Sequence, residues 1–230
     1  MNSNFLVAAA AVIALSGCGK PAEKAAAPPA TAAETVNLTI PAGVYKLDPN
    51  HAYLQWSVPH MGLSTYRAKF TRYDATVTLD PANLEASKVS VTIDPLSIRT
   101  DYPADYKATH AKSGYATWDE ELGKSDRFAA GAKFPTITFN STKVERTGPS
   151  TAKVTGDLTF AGVTKPVTLD VTLVGQTATH PFTKGGAFGV HAEGGFKRTD
   201  FGQAESPMND ISISFDAEFQ QELPATPAAG

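Results

Sequence analysis

The stretch KVTGDLTFAGVTKPVTLDVTL, residues 153–173, carries apolar side chains at even positions before its turn (Val154, Leu158, Phe160) and at odd positions after it (Val167, Leu169, Val171, Leu173). Side chains alternate between the two faces of a strand, so each half reads as a strand with one apolar and one polar face. Ala161-Gly162-Val163-Thr164 is short enough to join the halves as an antiparallel hairpin. A sheet that is apolar on one side must cover that side. The cover is either a filled core or the wall of a cavity holding an apolar ligand.

The same period of two recurs outward from the hairpin. Ala52, Leu54, Trp56 and Val58 alternate with Tyr53, Gln55 and Ser57, and Ala75, Val77 and Leu79 with Thr76 and Thr78. Val89, Val91 and Ile93, then Ile137 and Phe139, then Phe188, Val190 and Ala192 follow the rule, and Ile211, Ile213, Phe215, Ala217 and Phe219 end the series. About eight short alternating strands joined by short turns predict an all-β fold, a sandwich or a barrel. Residues 99–134 break the alternation and are expected to form a short helix plus loop, a cap over one end.

The ends of the chain differ in character from this middle. FLVAAAAVIAL, residues 5–15, is too short to span a bilayer, which takes about 20 residues, but suits the apolar region of an export signal. LSGC follows, and its Cys18 is the one cysteine of the 230 residues, in a setting that resembles the lipobox of bacterial lipoproteins. Residues 1–17 are therefore read as a lipoprotein signal peptide, although the segment before the apolar run holds no Lys or Arg. Residues 18–42 are read as lipidated Cys18 and an Ala/Pro-rich tether, 43–220 as the folded domain, and 221–230 as a flexible tail. With Cys18 lipidated no thiol remains, so stability must come from the core. A net charge of −3 and a pI near 5.9 argue against an electrostatic grip on nucleic acid or anionic lipid. Membrane attachment is then by the anchor.

No reactive constellation emerges. The chain has no GxSxG, Walker loop, HExxH or cysteine pair, and no enzyme is expected. His51 and His60 stand nine residues apart, about 30 Å if extended, so no shared metal is expected. Asp119, Glu120, Glu121 and Asp126, interleaved with Lys124 and Arg127, read as a solvated helix face. Arg198 and Asp200 are suited to a salt bridge beside a turn, with Arg198 also a candidate for a ligand's head group. Trp56, Phe139 and Phe160 fall on apolar faces, yet an eight-stranded barrel either fills itself with side chains or holds one small ligand. Periodicity does not choose between those outcomes.

Five blocks resemble the YceI family: YKLDPNHAYLQWSVPHMG (45–62), VTIDPLSIRT (91–100), FPTITFNSTKV (134–144), GDLTFAGVTKPVTLDV (156–171) and FKRTDFG (196–202). Together they cover about residues 44–219, in order. Two features depart from the family's pattern: STYRAKF (64–70) lacks a Gly usual before that strand, and Glu121-Leu122 stands where the capping helix usually carries His-Leu. The resemblance implies a lipocalin-like antiparallel barrel in the bacterial periplasm with an apolar tunnel for a long-chain lipid. Polyisoprenoids, such as isoprenoid quinones or polyprenyl phosphates, are the implied class. On that footing the tunnel is expected to be lined by Leu54, Trp56, Val58, Phe70, Val91, Ile93, Phe139, Leu158, Phe160, Leu169, Val171 and Phe215. The lipid is ligand, and no cofactor or nucleic acid is expected. By resemblance to lipoprotein sorting, Gly19 after Cys18 favours the inner face of the outer membrane, and a homodimer is left open. The competing expectation is an envelope interaction or stress-response lipoprotein whose barrel is packed solid.

Overall fold

The computed structural model describes residues 38–224. The signal segment, Cys18, most of the tether and the end of the tail lie outside them. The strands are β1 (Gly43–His60), β2 (Ser64–Phe70), β3 (Tyr73–Leu79), β4 (Lys88–Ile93), β5 (Ile98–Arg99), β6 (Ile137–Arg146), β7 (Thr151–Phe160), β8 (Val163–Thr177), β9 (Ala187–Lys197) and β10 (Asp210–Gln221). Every pairing is antiparallel, and β10 pairs back onto β1, so the sheet closes. β2 and β3 form one strand broken at Thr71–Arg72: β2 runs along Leu54–His60 of β1 and β3 along Gly43–Lys46. β5 likewise continues β4 past the 3₁₀ turn Pro95–Ser97 and pairs with β2. Counted around the wall the barrel has eight strands, as the alternation predicts. Closure removes the exposed edges that an open sheet would present.

The β7–β8 hairpin is tighter than the sequence predicts. Phe160 pairs with Val163, leaving only Ala161 and Gly162 in the turn, both with positive φ (49° and 80°). A two-residue turn of that hand matches the natural strand twist. It also makes each even position of β7 face an odd position of β8, as in Val154↔Leu169 and Ala152↔Val171. The parity switch seen in the sequence is thus the register of one turn. Pro166 falls before β8 gains its second neighbour at Leu169, where a missing N–H is tolerated.

β1 holds a feature that simple alternation does not reveal. Its register against β10 shifts between Leu47 and Ala52. Tyr45 and Leu47 are buried at odd positions, Leu54 and Val58 at even ones. Four residues of β1, 48–51, face the single Glu218 of β10, and the three extra residues of this bulge, an odd number, change which parity faces inward.

Between β5 and β6 lie α1 (Tyr106–His110) and α2 (Trp118–Lys124) joined by loops, the cap expected for this interval. α2 starts at Thr117, whose hydroxyl accepts from the Glu120 N–H at 3.1 Å, with Asp119, Glu120 and Glu121 in the first turn and Lys124 in the last. That placement of charge suits the helix dipole.

Candidate ligand-binding site

Inside the barrel the inward side chains leave two chambers of about 160 and 170 Å³. The upper one, beneath the cap, is lined by Leu54, Trp56, Val58, Phe70, Ile93, Leu158 and Phe160, and the lower by Val91, Phe139, Leu169, Val171 and Phe215. All twelve residues expected to line a tunnel therefore face one chamber or the other. The chambers abut, because consecutive inward positions of one strand serve both: Ile93 then Val91 on β4, Ile137 then Phe139 on β6, Ile213 then Phe215 on β10. From Ala152 in the lower chamber to Phe160 in the upper is about 26 Å of strand at ~3.3 Å per residue. An apolar cavity of roughly 150 Å³ takes a benzene-sized molecule, so each chamber alone suits a small apolar group and the pair in line suits a chain.

The lower chamber ends in a segment that composition assigned to the tether. Ile40 is 3% exposed and belongs to the core, and Leu38 packs against it. Both line the chamber, and the Tyr45 hydroxyl donates to the Pro41 carbonyl at 2.7 Å, fastening the segment. The tether therefore gives way to packed chain before Ala42. Its Ala/Pro-rich composition hid the alternation Val36, Leu38, Ile40 in the sequence, the one strand-like signal in the segment. At the other boundary, Gln221 still belongs to β10 rather than to the tail. Midway along the wall Gly156 lets the Phe139 ring lie against β7, since a Cβ there would stand 2.5 Å from that ring.

The upper chamber is closed by Trp118, Leu122, Phe128 and Ala129 of the cap. The solvated acidic face expected for α2 holds only in part. Glu120 pairs with Lys124 at 2.7 Å and Asp126 with Lys133, but Glu121 is 6% exposed and accepts from the Tyr106 hydroxyl at 2.7 Å. Glu121 lies three residues after Trp118 and beside Leu122, on the face that α2 turns inward. Asp119 accepts from both the backbone N–H and the hydroxyl of Thr100 at 2.9 Å, fastening the cap to β5. Tyr106, Trp118 and His110 form a ring cluster, with centroids 4.3–4.9 Å apart.

Arg198 lines the upper chamber and is buried. In place of a bond to Asp200, its guanidinium donates to the carbonyls of Met208 (3.2 Å) and Arg127 and reaches the Gln203 side-chain oxygen at 3.5 Å. It also stacks over Phe128 at 5.2 Å. Burial, then the neighbouring Arg127 charge, holds it below the usual guanidinium range. These bonds tie the cap's end to the barrel.

Trp56 and Tyr66 stand on adjacent strands in the same chamber, their rings stacked with centroids 6.1 Å apart. Burial, aided by the charges of Tyr102, Asp119 and Glu121, pushes the Tyr66 phenol well above its ordinary value, so it stays protonated. Tyr66 was absent from the sequence-based set. The alternation Tyr66, Ala68, Phe70 against Arg67 and Lys69 is the signal that marks it.

On the outer face, Asp48, His51 and Glu218 bring ligand-type atoms within 4.8 Å of one another. The Asp48 carboxylate already accepts from the Asn50 N–H (2.9 Å) and the Gln220 amide (2.7 Å), and bonds the His51 Nδ1 (2.9 Å). The cluster clamps the β1 bulge to β10. His60, at the far end of β1, lines the upper chamber, so the two histidines share no site.

Comparison with known proteins agrees with this geometry. The YceI-like domain family matches residues 45–219. Protein YceI of Escherichia coli O17:K52:H18 is 38% identical over 185 residues, 77% of this chain and 87% of that protein. Among solved structures, the Campylobacter jejuni YceI protein superposes with a TM-score of 0.59 at 30% identity, over 71% of this chain and 90% of that one. A polyisoprenoid binding domain from Saccharophagus degradans, implicated in plant cell wall breakdown, shares the fold with a TM-score of 0.53 at 12% identity, over 77% of this chain and 98% of that one. With a family match over nearly the whole barrel and a relative this similar, the chain belongs to the YceI family.

Proposed function

We propose that the barrel binds a long-chain lipid of the polyisoprenoid class in its two abutting chambers, and carries or buffers it within the bacterial cell envelope. The observation that carries this reading is the pair of apolar chambers laid end to end along the same strands, in place of a solid core. The relative named for polyisoprenoid binding supports it at the level of fold. Binding rather than turnover fits a wall made almost wholly of hydrocarbon, and no redox cofactor is needed for it. A tail gains about 0.8 kcal/mol per CH₂ on leaving water, but a bilayer gives nearly the same, so exchange between membrane and barrel is close to neutral. The protein is then a reversible carrier. Lipidation at Cys18 would hold it at the membrane, by the sorting expectation at the inner face of the outer membrane, and the cap would gate access.

Mass spectrometry of a solvent extract of the full chain, purified from its native host, tests the reading. One long-chain lipid in near-equimolar amount is expected, and Phe160→Glu, if folded by circular dichroism, is expected to lose it. An extract that stays clean after incubation with isoprenoid lipids would favour a ligand-free interaction module.

A further inference from the structure

The wall of the upper chamber holds few polar atoms, and they differ in their commitments. Arg198, the one Lys or Arg among its described lining residues, is bonded to backbone carbonyls and stacked on Phe128. The Trp56 Nε1 and the Tyr66 hydroxyl are buried in the opposite condition: neither has a hydrogen-bond partner within the protein. Buried indole N–H and phenol groups ordinarily find one.

The two belong to one place. Trp56 pairs in register with Ala68 and Tyr66 with Val58, so they are diagonal neighbours on the inward face of β1 and β2. Their rings stack at 27°. Tyr66 also meets Trp118 and Tyr102, which sets the pair directly under the cap. An indole N–H can only donate, and a phenol that keeps its proton donates as well.

We propose that Trp56 and Tyr66 form the head-group subsite, donating hydrogen bonds to the carbonyl-type oxygen of a neutral head group such as a quinone, ester or amide. The proposal rests on the lipid-carrier reading and gives it direction: head beneath the cap, tail toward the lower chamber. Neutrality follows from the charges nearby. The chamber's guanidinium is bonded elsewhere, and the carboxylates of Asp119 and Glu121 stand near enough to Tyr66 to resist a further negative charge. Among the described lining residues a phosphate would meet two neutral donors and the His60 imidazole, which lies 6.3 Å from the Tyr66 ring, but no Lys or Arg whose charge is not already bonded, an unfavourable setting for a buried anion.

The test uses the full chain, stripped of lipid, and three probes of equal tail length: ubiquinone with a hexaprenyl tail, hexaprenyl phosphate, and squalene, which has no polar head. The quinone is expected to bind tightest. Tyr66→Phe keeps the ring and removes only the donor, so it is expected to weaken quinone binding by about three- to tenfold and leave squalene unchanged; Trp56→Phe removes the indole N–H together with part of the ring system, so its loss for the quinone is expected to exceed its loss for squalene. Equal losses for quinone and squalene would reduce the pair to packing and overturn the proposal. Tighter binding of the phosphate by the wild type would overturn it too, while leaving the carrier reading intact. If none of the three binds, the carrier reading fails and the subsite with it.

Discussion

At the scale of single residues, the Asp48 carboxylate does work that no alternation pattern announces. It takes bonds from the backbone of Asn50, from His51 and from Gln220 of β10 at the point where β1 changes its inward parity. The bond to Asp48, then its charge, then that of Glu218, raise the His51 pKa above its ordinary value; the bond to His51 is the main cause lowering that of Asp48. The signs differ. The raised imidazole adds stability that is full below its unfolded pKa and is lost as pH rises through its folded one. The lowered carboxylate adds stability present above its unfolded pKa and lost as pH falls through its folded one. The clamp is therefore strongest between the carboxylate and imidazole ranges, about pH 5 to 6. His51→Ala is expected to lower the melting temperature most in that window and to match the wild type more closely above about pH 8. A melting difference independent of pH would mean that His51 contributes contact area and no ion pair.

At the scale of elements, the β7–β8 hairpin shows a local rule broken at modest cost. Ala161 holds a left-handed φ of 49°, a conformation that asparagine tolerates better than alanine. Ala161→Asn creates the Asn-Gly pair favoured in such turns and is expected to stabilise the barrel by about 0.5–1 kcal/mol, read from urea unfolding with an unchanged slope. A loss of stability would mean that the turn is held by Phe134, which packs over Gly162, and not by its own backbone preference. This hairpin was legible in the sequence because each strand has one wet and one dry face and a two-residue turn preserves the pattern. Less regular elements hid more. The bulge at 48–51 could not be read from the period because it interrupts the period. Ile40 sat within tether-like composition although its side chain reaches the core. Glu121 looked solvated because charge is the default sign of a wet face, and only the packing of Tyr106 against α2 explains its burial. Among the lining residues, the apolar ones followed from parity. That Trp56 and Tyr66 leave their donors unpartnered did not follow from parity, since whether a polar atom finds a partner is a property of the assembled barrel.

At the scale of the whole molecule, the two abutting chambers are expected to act as one site. Ala192 tests this well. It is buried on β9 in register with Val171 of β8 and Phe215 of β10, and all three line the lower chamber. A phenylalanine there would fill much of the 170 Å³ without touching the upper chamber. Small-to-large changes in a filled core cost typically ~1–3 kcal/mol, but a ring placed into existing space costs less, so Ala192→Phe is expected to fold. If a tail runs from the Trp56–Tyr66 end into the lower chamber, each methylene that reaches it adds about 0.8 kcal/mol over water. The wild type should then bind hexaprenyl ubiquinone more tightly than a homologue with a tail half as long. Ala192→Phe should abolish that preference by weakening the long-tailed ligand while leaving the short-tailed one nearly unchanged. A preference that survives the substitution would show that the tail stops short of β9 and that the lower chamber is a separate space. Equal loss for both tails would point to distortion of the barrel, which circular dichroism of the variant would reveal. Chain-length selection would then be a property of the closed sheet as a whole, set by how many consecutive inward positions on the same strands remain open to a single chain.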